Sequence, residues 1–145
     1  MNKKIKILVL CTGNSCRSQI AEAYLKYFSK KKKLSAEVFS AGTQPHGVNP
    51  RVIKILCEDG ININDHTSNH VNEYLNNGIS HVITVCDRAM ENCPLFPENT
   101  IKEHQNFSDP SKSIGNPKEI KKAFRKTRDE IKLFCENYLI RHFKS

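Results

Sequence analysis

The chain has 145 residues and a formal net charge of +8, from 23 Lys and Arg against 15 Asp and Glu. This length predicts a single domain over residues 1–145, and there is no apolar run of about 18 residues that could cross a membrane. The apolar part of the basic start, Met1–Leu10, is too short for a signal peptide, so we expect a cytoplasmic protein whose six cysteines are mostly reduced.

The first half of the chain alternates predicted strands and helices. Ile5–Leu10 is nearly all apolar and predicts a fully buried strand. Glu37–Ser40 predicts a second, short strand. A helix is predicted between them, from about Ser18 to Lys32, and another begins at Asn49-Pro50 in the order of cap then proline and ends at Gly60. The inward faces of these two helices are predicted to be formed by Ile20, Ala23, Tyr24, Tyr27 and Phe28, and by Val52, Ile55 and Leu56.

The second half continues the same alternation. His70–Asn76 predicts a short helix, Ser80–Val85 a third strand and Thr100–His104 a weaker fourth strand. The last helix begins at Asn116-Pro117. Its apolar residues recur at spacings of three and four, namely Ile120, Ala123, Phe124, Thr127, Ile131, Phe134, Cys135, Tyr138 and Leu139. Together the elements predict an α/β fold, a doubly wound parallel four-stranded sheet flanked by helices.

The most informative segment, CTGNSCRS, directly follows the first strand. Its cysteine and arginine, Cys11 and Arg17, are separated by five residues, so the loop between them can curl around one tetrahedral dianion. Gly13 and Asn14 tolerate the positive φ values that turn backbone N–H groups inward. Arg17 supplies a planar pair of donors, and the next helix points its positive end at the same place.

These surroundings also favour the thiolate form of Cys11. We therefore predict an oxyanion-binding loop with a nucleophile at its base. The predicted substrate-binding residues are Thr12, Gly13, Asn14, Ser15, Cys16, Arg17 and Ser18.

The positive charge is spread out and forms no nucleic-acid-binding motif. Lys30–Lys33 close the first predicted helix, where cations complement the helix dipole. The basic residues of the last helix lie mostly off its apolar face: Lys118, Lys121, Lys122, Arg125, Lys126 and Arg128. We predict a solvated surface that weakly attracts small oxyanions, and no nucleic acid partner.

The strand, loop and helix around Cys11 resemble those shared by low-molecular-weight protein tyrosine phosphatases and thioredoxin-coupled arsenate reductases. A second pair of cysteines, Cys86 and Cys93, distinguishes the two chemistries. A phosphatase needs one nucleophilic cysteine, whereas reducing arsenate to arsenite takes two electrons, which a thiol pair supplies by closing into a disulfide. Because Cys86 directly follows the third strand, we expect it at the same sheet edge as Cys11.

A third thiol at Cys93 would allow a relay through three cysteines. Cys11 forms the arsenic adduct, Cys86 attacks Cys11 and releases arsenite, and Cys93 then attacks Cys86. Seven residues of helix would separate Cys86 from Cys93 by about 10 Å, whereas disulfide Cα atoms lie within ~4.4–6.8 Å. A helix here must therefore unwind, which makes residues 86–97 the predicted redox switch.

The other cysteines and a metal site receive different interpretations. The spacing from Cys86 to Cys93 matches no common zinc motif. Cys57 and Cys135 are expected to be small core residues. Cys16 lies inside the anion loop, and we assign it no chemical step.

Across essentially the whole chain, the sequence resembles the thioredoxin-coupled arsenate reductases of the low-molecular-weight phosphatase-like family. The matching segments are CTGNSCRSQIAE at 11–22, FSAGTQPHGVNP at 39–50, DHTS at 65–68, VITVCDRAMENCP at 82–94 and the pair Asp109-Pro110. The resemblance implies Cys11 as nucleophile, Arg17 as anion clamp, Cys86 and Cys93 as the disulfide relay and Asp109 as general acid. It also implies arsenate as substrate with phosphate or sulfate as competitors, and thioredoxin as electron donor, with low-molecular-weight thiols as the alternative donor. We expect a monomer and no required cofactor.

Two positions depart from related proteins. Ser111 stands where phosphatases usually carry an aromatic residue that lines a phosphotyrosine cleft, which weakens a tyrosine phosphatase interpretation. Some related reductases hold a potassium ion; the positions here are Asn14, Glu22, Ser40 and Asn69, the last replacing an Asp. Two alternative functions stay open: a phosphate-monoester hydrolase, and a non-catalytic oxyanion or redox sensor that binds a partner through residues 86–97.

Overall fold

A computed structural model describes residues 4–143 of the chain. Its four strands are β1 (Ile5–Cys11), β2 (Ala36–Gly42), β3 (His81–Thr84) and β4 (Ile101–His104). Its α-helices are α1 (Arg17–Lys31), α2 (Pro50–Glu58), α3 (Asp87–Glu91) and α4 (Pro117–His142), and two 3-10 helices span Val71–Tyr74 and Pro110–Lys112. The predicted alternation of strands and helices is confirmed.

The four strands form one parallel sheet in the order β2-β1-β3-β4. Cys11 at the end of β1 is paired with Gly42 of β2, and Leu10 is paired with Thr84 of β3. The strand order reverses between β1 and β3, because the chain goes from β1 outward to β2 and then back to β3. In such sheets ligands bind in the crevice beyond the carboxyl ends of the strands at the reversal, and this crevice begins at Cys11.

The core lies on both sides of β1, which is the reason that Ile7–Leu10 of this strand are all apolar. Residues Ile7–Leu10 have no exposed surface. Helix α1 packs against α4 and along β1 and β2, while α3 packs against β1 and β3. Among residues 4–143, no helix is long and apolar enough to cross a membrane.

The predicted face of α1 needs one correction. Tyr27 is 45% exposed and rests the edge of its ring on Phe28, with the centroids 5.1 Å apart. Ala21 and Leu25 are fully buried instead. Because α1 contacts both the sheet and α4, its buried face is wider than a single stripe at spacings of three and four.

The other helices follow their sequence signals, with one exception in α2. The side chains of Asn49 and Asn116 accept hydrogen bonds from Arg51 N and Glu119 N, so both predicted caps are confirmed. The buried residues of α2 are Val52, Ile55 and Leu56. Cys57 is exposed, and its prediction as a core residue is wrong because it lies beside this stripe rather than on it, whereas Cys135 is fully buried as predicted.

The segment predicted as a helix over residues 70–76 is shorter and tighter than expected. It is a 3-10 helix, Val71–Tyr74. His70 Nδ1 accepts a hydrogen bond from Asn72 N, and Glu73 accepts one from His70 N. These reciprocal caps satisfy the backbone of one turn and do not extend the helix.

Candidate active site

The loop after β1 takes its shape from one residue with positive φ and two close approaches. Asn14 has φ 47°, as predicted, but Gly13 does not adopt a positive φ. Gly13 is needed for space, because a Cβ there would lie 2.5 Å from His46 Cδ2. A Cβ on Gly42 would lie 2.5 Å from the Thr12 carbonyl oxygen, so the end of β2 must also be glycine for the loop to close.

The base of the loop supports Cys11 through a chain of buried side chains. Cys11 Sγ lies 3.0 Å from Ser18 Oγ. Asn14 Nδ2 donates to Ser18 Oγ at 2.8 Å and to Ser40 Oγ at 2.9 Å. Since Ser18 already accepts from Asn14, its own hydroxyl hydrogen is free to point at the Cys11 sulfur, where it stabilises a thiolate.

Gln19 and His66 support the back of this loop, and neither was predicted from the sequence as a site residue. Gln19 Nε2 donates to the carbonyl oxygens of Asn14 and Thr67. His66 Nδ1 lies 2.9 Å from Gln19 Oε1, and because an amide oxygen only accepts, the imidazole donates here. Both residues occur in segments that carry the family resemblance, 11–22 and 65–68.

Arg17 is the first residue of α1, and a distant part of the chain orients its guanidinium group. Its Nη1 donates to the Phe107 carbonyl oxygen at 2.9 Å, and its Nη2 lies 3.6 Å from Asp109 Oδ2. A guanidinium has five N–H donors, so most of them remain for an anion in the loop. The guanidinium is thus oriented before any ligand arrives.

Arg17→Lys should lower kcat/KM for the oxyanion substrate by about ten- to a hundredfold, although the charge is kept. An ammonium group cannot donate to Phe107 and to two anion oxygens in one plane, and hydrogen bonds to charged groups contribute ~1.5–3 kcal/mol each. Steady-state kinetics of the variant would check this. Arg51→Lys, on the exposed side of α2, is the matched control, and equal kinetics for the two variants would contradict the role of Arg17.

Asp109 lies across the loop opening and caps the 3-10 helix Pro110–Lys112. Its Oδ1 accepts hydrogen bonds from both the backbone N–H and the hydroxyl of Ser111, at 2.9 and 2.6 Å. The other oxygen, Oδ2, faces Arg17. The serine that replaces an aromatic residue therefore fixes the orientation of the carboxylate.

Cys86 reaches the anion loop, as predicted from its place after β3. Its sulfur lies 3.4 Å from Thr12 Oγ1, and the side chain is buried. Cys93 is half-buried, with its thiol donating to the Pro94 carbonyl oxygen at 3.5 Å, and burial raises its pKa. Between them α3 spans only Asp87–Glu91, so a single short helix would have to unwind to join the two thiols.

Cys16 lies inside the loop but is unsuited to act as a nucleophile. Burial raises the pKa of its thiol to about 11, partly offset by a hydrogen bond with Ser15. Near neutral pH it is therefore protonated, whereas only the thiolate form of a cysteine is nucleophilic.

The loop and residues 86–88, at the start of the relay segment (residues 86–97), enclose one cavity of about 500 Å³. Its lining includes most of the predicted site residues: Cys11, Thr12, Gly13, Ser15, Cys16, Arg17, Cys86 and Asp109. Asn14 and Ser18 lie behind the loop, and Cys93 lies outside the cavity lining. His46, Asp87, Arg88 and Lys112 add charged or polar groups at the rim. Among the described residues, no phenylalanine or tyrosine lines this space.

Comparison with known proteins decides the family. The family model for low molecular weight phosphotyrosine protein phosphatases matches residues 6–145. The chain belongs to this family. An arsenate reductase of Shouchella clausii is 44% identical over 131 residues, which cover 90% of this chain and 91% of that protein.

Solved structures agree with this family assignment. One described as an arsenate reductase in the phosphate binding state has a TM-score of 0.69 at 26% identity, covering 94% of this chain and 98% of that one. The YwlE arginine phosphatase has a TM-score of 0.80 at 22% identity, covering 97% of each chain. The phosphatase-like fold is thus common to proteins of different activity, and the activity must be argued from the site.

The four positions expected to hold potassium are only partly brought together. Ser40 Oγ donates to Glu22 Oε1 at 2.6 Å, and the Lys26 ammonium group lies 2.5 Å from Glu22 Oε2. Asn69 reaches Asn14 through its backbone N–H, while its side-chain amide donates to Thr67. These residues do not fit an open oxygen cage, because a lysine already neutralises the carboxylate. Potassium binding stays a prediction from the resemblance, and no step below depends on it.

His66 makes the stability of the folded protein depend on pH. Burial lowers its pKa, although the Glu22 carboxylate opposes this. Below the ordinary histidine pKa of about 6.5, the unfolded chain gains a proton that folded His66 resists, so the free energy of unfolding should fall as the pH falls. The slope from one such group is at most about 1.4 kcal/mol per pH unit.

Denaturant titrations between about pH 5 and 7.5 would measure this slope. His66→Gln, which keeps an N–H donor, should flatten it, and His46→Gln at the exposed rim is the control. An unchanged slope in the His66 variant would contradict the assignment.

Proposed function

We propose that this protein is an arsenate reductase that uses Cys11 as nucleophile and transfers a disulfide to Cys86 and Cys93. The observation that carries the proposal is the meeting of two thiols at one oxyanion-binding cavity. Cys11 lies at the base of the loop, and Cys86 contacts Thr12, the residue that follows Cys11. Hydrolysis of a phosphate ester would need only the first of these thiols.

The first step binds arsenic covalently. The Cys11 thiolate attacks arsenic, an S–As bond forms, and one As–O bond breaks, with the oxygen leaving as water. The proton for this oxygen comes from Asp109, whose carboxyl group lies across the cavity. The loop N–H groups and Arg17 stabilise the charge on the remaining oxygens.

The second step moves two electrons from sulfur to arsenic. The Cys86 thiolate attacks Cys11 Sγ, the S–As bond breaks, and its electron pair stays on arsenic, which leaves as arsenite. The two sulfurs are oxidised to a Cys11–Cys86 disulfide. The balance is arsenate plus two thiols giving arsenite, one disulfide and water.

The third step clears the anion loop. The Cys93 thiolate attacks Cys86 Sγ, so that Cys11 leaves as a thiolate and a Cys86–Cys93 disulfide forms. Burial disfavours the thiolate of Cys93 in the reduced form. Unwinding of α3 and the following residues would both bring Cys93 to Cys86 and remove this penalty.

A protein dithiol of the thioredoxin type is the proposed reductant, and the cytoplasm is the proposed compartment because thiols are kept reduced there. Apolar surface lies beside Cys93: Met90 is 46% exposed and Leu95 is 93% exposed. An apolar surface next to a disulfide suits a protein better than a small thiol. We also propose that the protein acts as a monomer, since all three thiols of the relay lie in one chain.

Asp109→Asn should lower kcat for arsenate reduction by about 10²–10⁴-fold, with KM largely kept, because an amide cannot deliver the proton to the leaving oxygen. Steady-state kinetics with arsenite detection would measure it. Ser111→Ala is an informative companion, since it removes only one hydrogen bond to Asp109 and should have a much smaller effect. A fall in kcat of less than tenfold for Asp109→Asn would indicate a structural turn instead.

Arsenite release by the purified protein, with and without a thioredoxin system, tests the proposed function directly. We expect a stoichiometric burst without reductant and repeated turnover with it. The cavity is much larger than one inorganic oxyanion, so a phosphate monoester also fits, and hydrolysis of such an ester is the alternative. Hydrolysis that survives in Cys86→Ser, without arsenite release by the wild type, would favour that alternative.

A further inference from the structure

Three hydrogen-bonded side chains, Thr84, His104 and Asp87, connect the residues that flank Cys86 in the sequence. Thr84 Oγ1 lies 2.7 Å from His104 Nδ1, and His104 Nε2 lies 2.8 Å from Asp87 Oδ1. A carboxylate only accepts, so Nε2–H donates to Asp87, while Nδ1 and the Thr84 hydroxyl form the second hydrogen bond of the ring. The imidazole thus links the last residue of β3 to the first residue of α3, on either side of Cys86.

The backbone holds His104 in a fixed place. Gln105 N donates to the Thr84 carbonyl oxygen at 2.9 Å, and Phe107 N donates to that of Val85 at 3.1 Å. The His104 side chain is 25% exposed, and Thr84 is buried. The Thr84 and His104 end of this hydrogen-bonded group is therefore rigid. Asp87, whose side chain is 65% exposed, forms the other end, at the start of α3.

Within the described part of the chain, this is the hydrogen bond that connects residues 87–99 to the rest of the fold. The other hydrogen bonds of these residues stay within 86–100, for example Asn92 N to Arg88 O and Thr100 N to Pro97 O. Buried Ala89 and Phe96 supply apolar contacts. The segment is thus tethered at its start and has few polar constraints beyond it.

We propose that His104 is a positioning residue for the thiol relay, acting through Asp87 to keep the reduced Cys86 thiol at the anion loop for its attack on Cys11. This inference rests on the proposed function. In the reduced protein, a free start of α3 would let the Cys86 sulfur move away from Thr12 before the arsenic adduct on Cys11 is attacked. The attack on Cys11 would then slow, although arsenate binding would not change.

Four variants separate the two hydrogen bonds of the imidazole. His104→Gln places an N–H near Nε2 and can still donate to Asp87, whereas His104→Asn ends near Nδ1 and reaches only Thr84. His104→Ala and Asp87→Ala remove the tether. Gln105→Ala is the matched control, since the hydrogen bond that its exposed side chain makes among the described residues goes to the neighbouring Asn106 carbonyl oxygen.

The first measurement needs no arsenate. Alkylation of Cys86 by iodoacetamide, followed by peptide mass spectrometry, should become about three- to tenfold faster in His104→Ala, His104→Asn and Asp87→Ala, as expected for loss of one hydrogen bond. His104→Gln and Gln105→Ala should match the wild type. Because Asp87 is exposed, its variant carries the test if the alanine variant at His104 does not fold.

The second measurement uses arsenate turnover. His104→Ala and His104→Asn should lose about three- to tenfold in kcat with KM unchanged, and Asp87→Ala should lose a similar factor in kcat. The double variant of His104 and Asp87 should lose no more kcat than either single one. Unchanged alkylation of Cys86, a His104→Gln variant as impaired as His104→Ala, or additive losses would overturn the inference. If wild type releases no arsenite, the proposed function fails, while the alkylation result still tests the tether.

Discussion

Cys11→Ser should produce no arsenite and hydrolyse no phosphate ester, while the protein stays folded. A serine hydroxyl remains protonated near neutral pH, so it cannot attack arsenic as a thiolate does. The substitution is nearly isosteric, and the buried partners Ser18 and Asn14 keep their contacts with each other. Arsenite detection together with circular dichroism and thermal unfolding would check the result.

Cys57→Ser is the control for this experiment, because Cys57 is an exposed thiol that does not line the cavity around Cys11. It should keep wild-type turnover. Appreciable arsenite production by Cys11→Ser would remove Cys11 from its role, whichever other variants remain active.

Cys93→Ser should release arsenite once and then stop with a Cys11–Cys86 disulfide. Nothing remains to move the disulfide outward, and a serine hydroxyl can still donate to the Pro94 carbonyl oxygen, so the fold should be kept. Cys86→Ser should stop earlier, with arsenic attached to Cys11 and no stoichiometric arsenite. Each variant differs from the wild type by the replacement of one sulfur atom with oxygen, so each serves as the control for the other.

Single-turnover arsenite measurements and intact-mass spectrometry would distinguish the two arrested states. Multiple turnovers of Cys93→Ser with a thioredoxin system would contradict the three-cysteine relay. Arsenite release from Cys86→Ser at the wild-type amount would contradict the second step.

Local sequence was sufficient to predict the fold class and the loop that joins β1 to α1. The loop runs from a buried strand into a helix within eight residues, CTGNSCRS, so neighbours in sequence are neighbours in space. The same reasoning placed Cys86 at the loop, because both cysteines follow strands whose carboxyl ends share one sheet edge. Where the prediction depended on packing it was less successful, as for exposed Tyr27 and Cys57.

The contacts that orient the site join residues far apart in the chain, which explains why the sequence did not predict them. Arg17 donates to a carbonyl oxygen at Phe107, and a backbone carbonyl has no residue signature. Gly13 was predicted for its tolerance of positive φ, but it does not adopt a positive φ and instead makes room for His46. A lysine and a glutamate four residues apart on a helix ordinarily form a surface ion pair. The competition between Lys26 and a cation for the Glu22 carboxylate was therefore not predicted.

The disulfide that accumulates in the wild type tests the relay most directly. The protein would be treated with arsenate without reductant, quenched by alkylation and mapped by peptide mass spectrometry, with hydrogen exchange followed in parallel. The account predicts a Cys86–Cys93 disulfide, an alkylated Cys11, and faster exchange over residues 86–97 than in the reduced protein. A disulfide that excludes Cys93, or arsenite release with all three thiols still reduced, would contradict it.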